Sequence, residues 1–312
     1  MTDLVMGVDV GGTTVKAALL DSDGREYGRC EQPTPRHVGP EAIVATIIDT
    51  VVELQRHVPD AGRLRAVGLV VPGVVDAQHG IAVYATNLGW RDLPIRQMVA
   101  EGVGLPVILD HDVRAAGLAE LELGAGRGAH EMLFVALGTG IAAAVITRGQ
   151  LATGATGMAG ELGHLPVVPD GEWCACGQRG CTETYASGAA ISRRYSAVSG
   201  ISGIPARDVI SRASAGDDLA QRIFSDAITA LGRALVNYVL IMDPEMIIIG
   251  GGLADSGAAL LDPLTSEVQG GLAWRSAPTI TGGRFGADAG RRGAALLAWR
   301  MLNEQHRRGG PG

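Results

Sequence analysis

Leu4-Val5-Met6-Gly7-Val8-Asp9-Val10-Gly11-Gly12-Thr13-Thr14-Val15-Lys16-Ala17-Ala18-Leu19-Leu20-Asp21 is the stretch that decides the fold. Leu4 to Val10 reads as an apolar strand, residues 11–14 as a glycine–threonine turn, and Val15 to Asp21 as the returning strand. The pattern restarts further on. Glu131 to Leu137 reads as a strand, Gly138-Thr139-Gly140 as a turn, and Ile141 to Thr147 as a second strand. A repeated strand–turn–strand unit predicts an internal duplication, with two similar α/β halves facing one another.

Outward from the first hairpin, Ser22-Asp23-Gly24 turns the chain into another strand. Pro40 to His57 has helical periodicity. Arg65 to Val71 is a buried strand stopped by Pro72-Gly73. Pro106 to Leu109 is a short strand, followed by a helix from about Asp112 to Leu123. Beyond the second hairpin the pattern predicts a long helix from about Asp218 to Met242 and a buried strand from Glu245 to Ile249. The turn Gly250-Gly251-Gly252 follows, then a C-terminal helix from about Ala287 to Glu304, with a frayed tail from His306 to Gly312.

The chain has 312 residues, more than one ordinary core accommodates, so two domains or one divided by a cleft are expected. It is 46% hydrophobic and 19% charged, as soluble globular proteins are. A net charge of −7 argues against broad binding to a nucleic-acid backbone. Lys16 is the only lysine, and arginine supplies the other cations. The N-terminus, Met1 to Met6, shows no signal peptide, and the run from Met132 to Thr147 is interrupted by Gly138 and Gly140 and too short to span a bilayer. A cytoplasmic protein that neither crosses nor coats a membrane is expected.

Three of the four cysteines fall within Cys174-Ala175-Cys176-Gly177-Gln178-Arg179-Gly180-Cys181, and His164 lies ten residues upstream. A Cys₃His set is a closed, tetrahedral ligand set for structural Zn²⁺. The bland alternative is structural thiols or a disulfide beside a chance histidine. Clustered, reduced thiols suit the cytosol better than a disulfide framework would. Glu161 and Glu183 flank this segment and could grip a polar ligand.

Each glycine turn follows a strand: Gly11-Gly12-Thr13 after Asp9-Val10, Gly138-Thr139-Gly140 after Leu137, and Gly250-Gly251-Gly252 after Ile249. Bare amides and threonine hydroxyls at such turns suit phosphate oxygens. One such turn is usually only a turn; three together point to a nucleotide. A Walker A loop is excluded, because no Gly-Lys-Ser/Thr occurs. The first turn leads to a strand rather than a helix, which disfavours a dinucleotide-binding Rossmann site. What remains is a phosphate-binding hairpin like that of the actin, hexokinase and sugar-kinase superfamily.

With these motifs in place, the chain resembles ROK-family sugar kinases, and most of all the bacterial glucokinases of that family. The resemblance is carried by Asp9-Val10-Gly11-Gly12-Thr13, Leu137-Gly138-Thr139-Gly140, Glu161-Leu162-Gly163-His164, and Cys174-x-Cys176-Gly177-x-x-Gly180-Cys181-x-Glu183. Pro72-Gly73, Asn87-Leu88-Gly89-Trp90 and Gly250-Gly251-Gly252 agree with it. It implies an actin/hexokinase-like (ribonuclease H-like) duplicated α/β fold with two lobes around a cleft. The small lobe would be 1–110, with the C-terminal helix, about 288–312, returning to it. Residues 111–287 would form the large lobe with the zinc loop. The implied reaction is ATP-dependent phosphorylation of glucose at O6 with catalytic Mg²⁺. Asp112 would be the general base, although on local sequence alone it reads as a helix cap. Gly73, Asn87, His111, Asp112, Glu161, His164 and Glu183 would hold the sugar. Asp9, Gly11, Gly12, Thr13, Gly138, Thr139, Gly140, Gly251 and Gly252 would serve ATP and its Mg²⁺, with Asp9 on the metal. His164, Cys174, Cys176 and Cys181 would hold Zn²⁺, one histidine nitrogen on the metal and the other facing the sugar. A homodimer or homotetramer is implied as well.

The resemblance has one departure at its centre. Related glucokinases place asparagine directly before the base and again two residues after it; here the run is Asp110-His111-Asp112-Val113-Arg114. The rival readings are therefore a kinase for N-acetylmannosamine, N-acetylglucosamine or a cyclitol. A sugar-responsive repressor of the same family needs a helix-turn-helix region ahead of the hairpin, which starts here by residue 4.

Overall fold

The computed structural model describes residues 2–308, which cluster into two compact units. Among the described residues, unit 1 comprises 2–119, Ala155–Gly157 and 288–308; unit 2 comprises Glu120–Gly154 and Met158–Ala287. Unit 1 begins with strands β1 (Thr2–Val10), β2 (Thr14–Leu20) and β3 (Glu26–Pro33), helix α1 (Pro40–Gln55) and β4 (Gly62–Val71). A small antiparallel sheet follows, β5 (Val74–Asp76), β6 (Ile81–Ala85) and β7 (Trp90–Leu93), then α2 (Ile95–Val103), β8 (Val107–His111) and α3 (Asp112–Leu123). The division between the units falls inside α3.

The main sheet of unit 1 has the order β3-β2-β1-β4-β8. The first three strands form the antiparallel meander expected from the opening hairpin, while β4 and β8 run parallel to β1. Central β1 is buried from Leu4 to Val8, which is why it reads as an unbroken apolar run. Helix α1 starts at Pro40, carries Glu41 in its first turn, and buries Ile43, Ile47, Val51 and Leu54 against the sheet at helical spacing.

Unit 2 repeats the plan with β9 (Met132–Leu137), β10 (Ile141–Thr147), β11 (Gln150–Ala152), β12 (Met246–Gly250) and β13 (Thr279–Gly282). Its sheet order is β11-β10-β9-β12-β13, with an antiparallel meander on one side and parallel strands on the other. The two sheets thus share one topology, the duplication expected from the two hairpins. Helices α4 (Glu183–Ala186), α5 (Gly188–Ser199), α6 (Ala206–Ser214), α7 (Asp218–Met242) and α8 (Ala258–Gly270) complete unit 2. Asp217 caps α7, its Oδ1 accepting from the amides of Leu219 and Ala220. Helix α7 is the one helix among the described residues long and apolar enough to cross a membrane, yet half of that apolar window is buried within the fold, as in a core helix.

The last helix, α9 (Ala289–Arg308), packs on β1 and β4 of unit 1. Two glycines make this possible: a Cβ on Gly7 would stand 1.9 Å from the Arg291 carbonyl oxygen, and one on Gly68 1.8 Å from that of Ala294. Of the tail expected to fray, residues 306–308 continue α9, and 309–312 lie outside the described residues. Strand β8 reaches His111, beyond the Leu109 end that its apolar run suggests, because Val70 and Val71 pair with Asp110 and His111.

Candidate functional site

In unit 1 the parallel register places the motif residues together. Asp9 pairs with Val70 on β4, and Val71 pairs with His111 on β8, so the C-terminal ends of β1, β4 and β8 lie side by side. Gly11, Gly12 and Thr13 turn β1 into β2, closed by a hydrogen bond from Gly11 N to the Thr14 carbonyl (2.9 Å). The Thr34 hydroxyl donates to the Gly11 carbonyl (2.7 Å) and holds the turn from β3's end. Asn87 approaches this same turn: a Cβ on Gly12 would lie 3.3 Å from its Nδ2. Gly73, at φ +91°, leaves β4 beside His111 and packs on the Tyr84 carbonyl.

Asp112 opens α3 as its first residue. Its Oδ1 accepts from the adjacent amide of Val113 (2.7 Å), a free donor of the helix's first turn, and this bond fixes the carboxylate at the strand end. Burial pushes its pKa up to about 6, against the pull of the Val113 amide and Arg114. Asp9 is pushed up to about 7, by burial first and then by the nearby charge of Asp112. Its Oδ2 lies against the start of α9, where a Cβ on Gly290 would be 2.3 Å away. A hard carboxylate oxygen whose charge lacks solvation, beside an amide-lined turn, fits Mg²⁺.

The run around the base is tied down internally. His111 Nδ1 accepts from Val113 N (3.2 Å) and lies 3.3 Å from Asp112 Oδ1. Arg114 is buried: its Nε donates to Asp110 Oδ1 (2.7 Å) and its Nη1 to the Gly157 carbonyl (2.7 Å). The side chain that replaces an expected amide is thus spent on protein groups.

Unit 2 gathers the second set. A cavity of about 470 Å³ is lined by Gly138, Thr139, Gly188, Ser192, Arg207 and Gly252, among others. A Cβ on Gly138 or Gly252 meets no atom within 4 Å, so both glycines border open space. The other glycines of these turns have structural neighbours. Gly251, at φ +80°, lies under the turn with its Cβ direction 2.5 Å from the Leu137 carbonyl, and Gly140 faces the Glu183 carboxylate. Glu183 accepts from Ile141 N (2.7 Å), which ties it to the β9–β10 turn. Residues on α5 and α6 complete the cavity; Ser192, Pro205 and Arg207 carry no motif, and only the fold brings them there.

The Cys₃His set also converges, with one ligand atom from each of His164, Cys174, Cys176 and Cys181 within 4.8 Å of all the others. Cys176 Sγ and Cys181 Sγ are 3.7 Å apart, and Cys174 Sγ is 3.6 Å from His164 Nδ1. Thiolates about 2.3 Å from a tetrahedral Zn²⁺ would be separated by about 3.8 Å. A disulfide would need about 2.0 Å. The donors present therefore fit Zn²⁺. His164 turns Nδ1 to the thiols and Nε2 toward Glu161, whose Oε2 is 4.0 Å away.

The comparisons with known proteins agree with this architecture. The ROK family model matches residues 5–301. A glucokinase of Halalkalibacterium halodurans is 35% identical over 97% of each chain. An N-acetylmannosamine kinase of Escherichia coli is 31% identical over 94% of this chain and 97% of its own. The crystal structure of a ROK family glucokinase from Streptomyces griseus in complex with glucose and AMPPNP superposes with a TM-score of 0.83 at 34% identity, covering 95% of this chain and 99% of that one. The duplicated sheets are those of the actin/hexokinase-like fold, and the chain belongs to the ROK family.

Proposed function

We propose that this protein transfers the terminal phosphoryl group of ATP to the O6 hydroxyl of glucose. It is a sugar kinase, a phosphotransferase with an alcohol acceptor, as its family and relatives have it. The observation that carries the finer reading is Asp112, a carboxylate fixed at a strand end and raised to about 6 by burial, in the unit that holds the Asp9 hairpin. A base with a pKa just under neutral is ionised at physiological pH and still basic enough to take a hydroxyl proton.

Asp112 accepts the O6 proton as the phosphoryl group arrives. Gly73, Asn87, His111, Glu161, His164 and Glu183 hold the acceptor, carboxylates and amides reading its hydroxyls in pairs. The amides of Gly12, Thr13, Thr139 and Gly140 take the phosphates, Gly11 and Gly138 close the turns that present them, and Gly252 borders the nucleotide, with Gly251 supporting the turn from beneath. Asp9 would hold Mg²⁺, which neutralises phosphate charge when bound. His164, Cys174, Cys176 and Cys181 would hold Zn²⁺, which fixes the imidazole ring. The small lobe is the unit that holds the opening hairpin and Asp112, with the returning C-terminal helix, and the large lobe is the unit that holds the Cys₃His loop. The enzyme works in the cytoplasm, where its thiols stay reduced, as a homodimer or homotetramer, without nucleic-acid or membrane partners.

A second reading has specific support. His111 stands where the resemblance leads one to expect asparagine, and the similar proteins include an N-acetylmannosamine kinase. Rates of ADP release over glucose, mannose, N-acetylmannosamine, N-acetylglucosamine and a cyclitol test the choice. Glucose should give the highest kcat/KM; a clear preference for an N-acetylated sugar would replace glucose by that acceptor.

A further inference from the structure

Arg114 is a buried charge that the reaction does not use. Its side chain is 7% exposed and makes two kinds of contact. One is local, with Asp110 four residues earlier on β8. The other is long-range: Nη1 donates to the carbonyl of Gly157, 43 residues away in sequence. Gly157 sits at φ +75°, and its Cβ direction is 3.7 Å from the Val75 carbonyl, so the segment lies beside β5. Residues 155–157 cluster with unit 1 although the chain on both sides of them belongs to unit 2. The same three residues run shortly into Glu161 and His164. A local ion pair would only stiffen the start of α3. A guanidinium fork that also holds a distant carbonyl fixes where that strand of loop begins.

We infer that Arg114 is a positioning residue for the acceptor sugar: it clamps the 155–157 segment to the end of β8 and so sets how tightly the sugar is held. The inference rests on the sugar-kinase reading. The clamp follows from planarity. Nε faces Asp110 and Nη1 faces Gly157 at one fixed angle, which neither an amide nor a flexible ammonium can reproduce. With the clamp gone, the Gly157 carbonyl loses a charged donor and the segment leading to Glu161 loosens, while the nucleotide cavity of unit 2 keeps every residue that lines it.

The test is steady-state kinetics and calorimetric sugar binding on the full chain. The variants are Arg114→Lys, Arg114→Met, Gly157→Ala and the Arg114→Lys/Gly157→Ala double variant. The acceptor is whichever sugar the wild-type enzyme turns over fastest. Arg114→Lys keeps a cation for Asp110 but loses the fork. It should raise the sugar KM about tenfold, or ~1.4 kcal/mol, with the KM for ATP changed less than about twofold. Gly157→Ala, strained at positive φ, should act on the same quantity, and the double variant should be little worse than the poorer single one. A merely structural role predicts otherwise: a lower melting temperature with both KM values unchanged, or both raised alike. Either outcome overturns the clamp, as does a double variant whose effect is the product of the single ones. Should neither Arg114 variant fold, an unchanged sugar affinity in Gly157→Ala overturns it. Calorimetry reads sugar affinity even without turnover, so an inactive wild type counts against the sugar-kinase reading and leaves the clamp to be judged by binding.

Discussion

Replacing Asp112 by asparagine should move activity and stability in opposite directions. Folding raises this carboxyl from 3.8 to about 6, chiefly by burial. A raised folded pKa means that the ionised form is the disfavoured one: the associated stability is fully present below 3.8 and is lost as pH rises through about 6. At pH 7 the folded protein therefore carries a cost of roughly 3 kcal/mol for keeping Asp112 ionised, from ~1.4 kcal/mol per pH unit. Asp112→Asn removes that charge, and its amide oxygen can still accept from the Val113 amide, so that bond survives. Its unfolding midpoint at pH 7 should rise, by up to the same amount, and the gain should vanish by about pH 4. Turnover should fall about 10²–10⁴-fold, as for a lost general base. In the wild type, kcat/KM should fall about tenfold from pH 7.5 to 5, as the ionised fraction of a group near pH 6 does. Direct quantitation of ADP avoids coupling enzymes that fail in acid; chemical denaturation at pH 4 and 7 gives the stability arm. A variant that loses stability at pH 7, or a wild-type rate flat down to pH 5, would refute the reasoning.

Three further outcomes follow from named contacts. Gly138→Val should raise the KM for ATP more than that for sugar and leave the fold intact, because its side chain enters open space at the unit 2 cavity; Michaelis constants plus a thermal melt check it, and equal effects on both substrates would favour a plain turn. Cys176→Ala should cost both the bound zinc and sugar affinity, since His164 and Glu183 hang on that loop; elemental analysis of the native protein finding no zinc with reduced thiols would defeat the idea. His111→Asn should change the kcat/KM ratio between glucose and its C3 or C4 epimers by about tenfold, ~1.4 kcal/mol; unchanged ratios across the epimers would leave His111 as packing.

The duplication was legible because both hairpins put a fully buried strand beside a glycine turn, and buried parallel-sheet strands are unbroken apolar runs. Helices α3 and α7 were equally legible, since Asp112 and Asp217 stop the preceding segment with a carboxylate on free amides. The small sheet β5–β7 was not, because strands of three to five residues with a mixed burial pattern leave no periodicity to read. The Cys₃His cluster could be inferred because its spacing is local apart from one histidine. The wall of the unit 2 cavity could not: Ser192, Pro205 and Arg207 come together only through where α5 and α6 lie.

The hardest part to read was the role of the charges flanking the base. In sequence, Arg114 stands where the resemblance leads one to expect a second asparagine, a cation two residues from Asp112. In the fold Asp110 at the end of β8 and Arg114 in the first turn of α3 pair with each other and bury their charges mutually, the arginine only 6% exposed. Asp112 stays raised despite the cation two residues away because burial outweighs the pull of Arg114 and of the Val113 amide. At Arg114 the departure from asparagine removes an amide and adds a brace between Asp110 and the Gly157 carbonyl. Any change of sugar preference must then come through His111 or through the segment that Arg114 holds, and the kinetics of these two positions can separate the two routes.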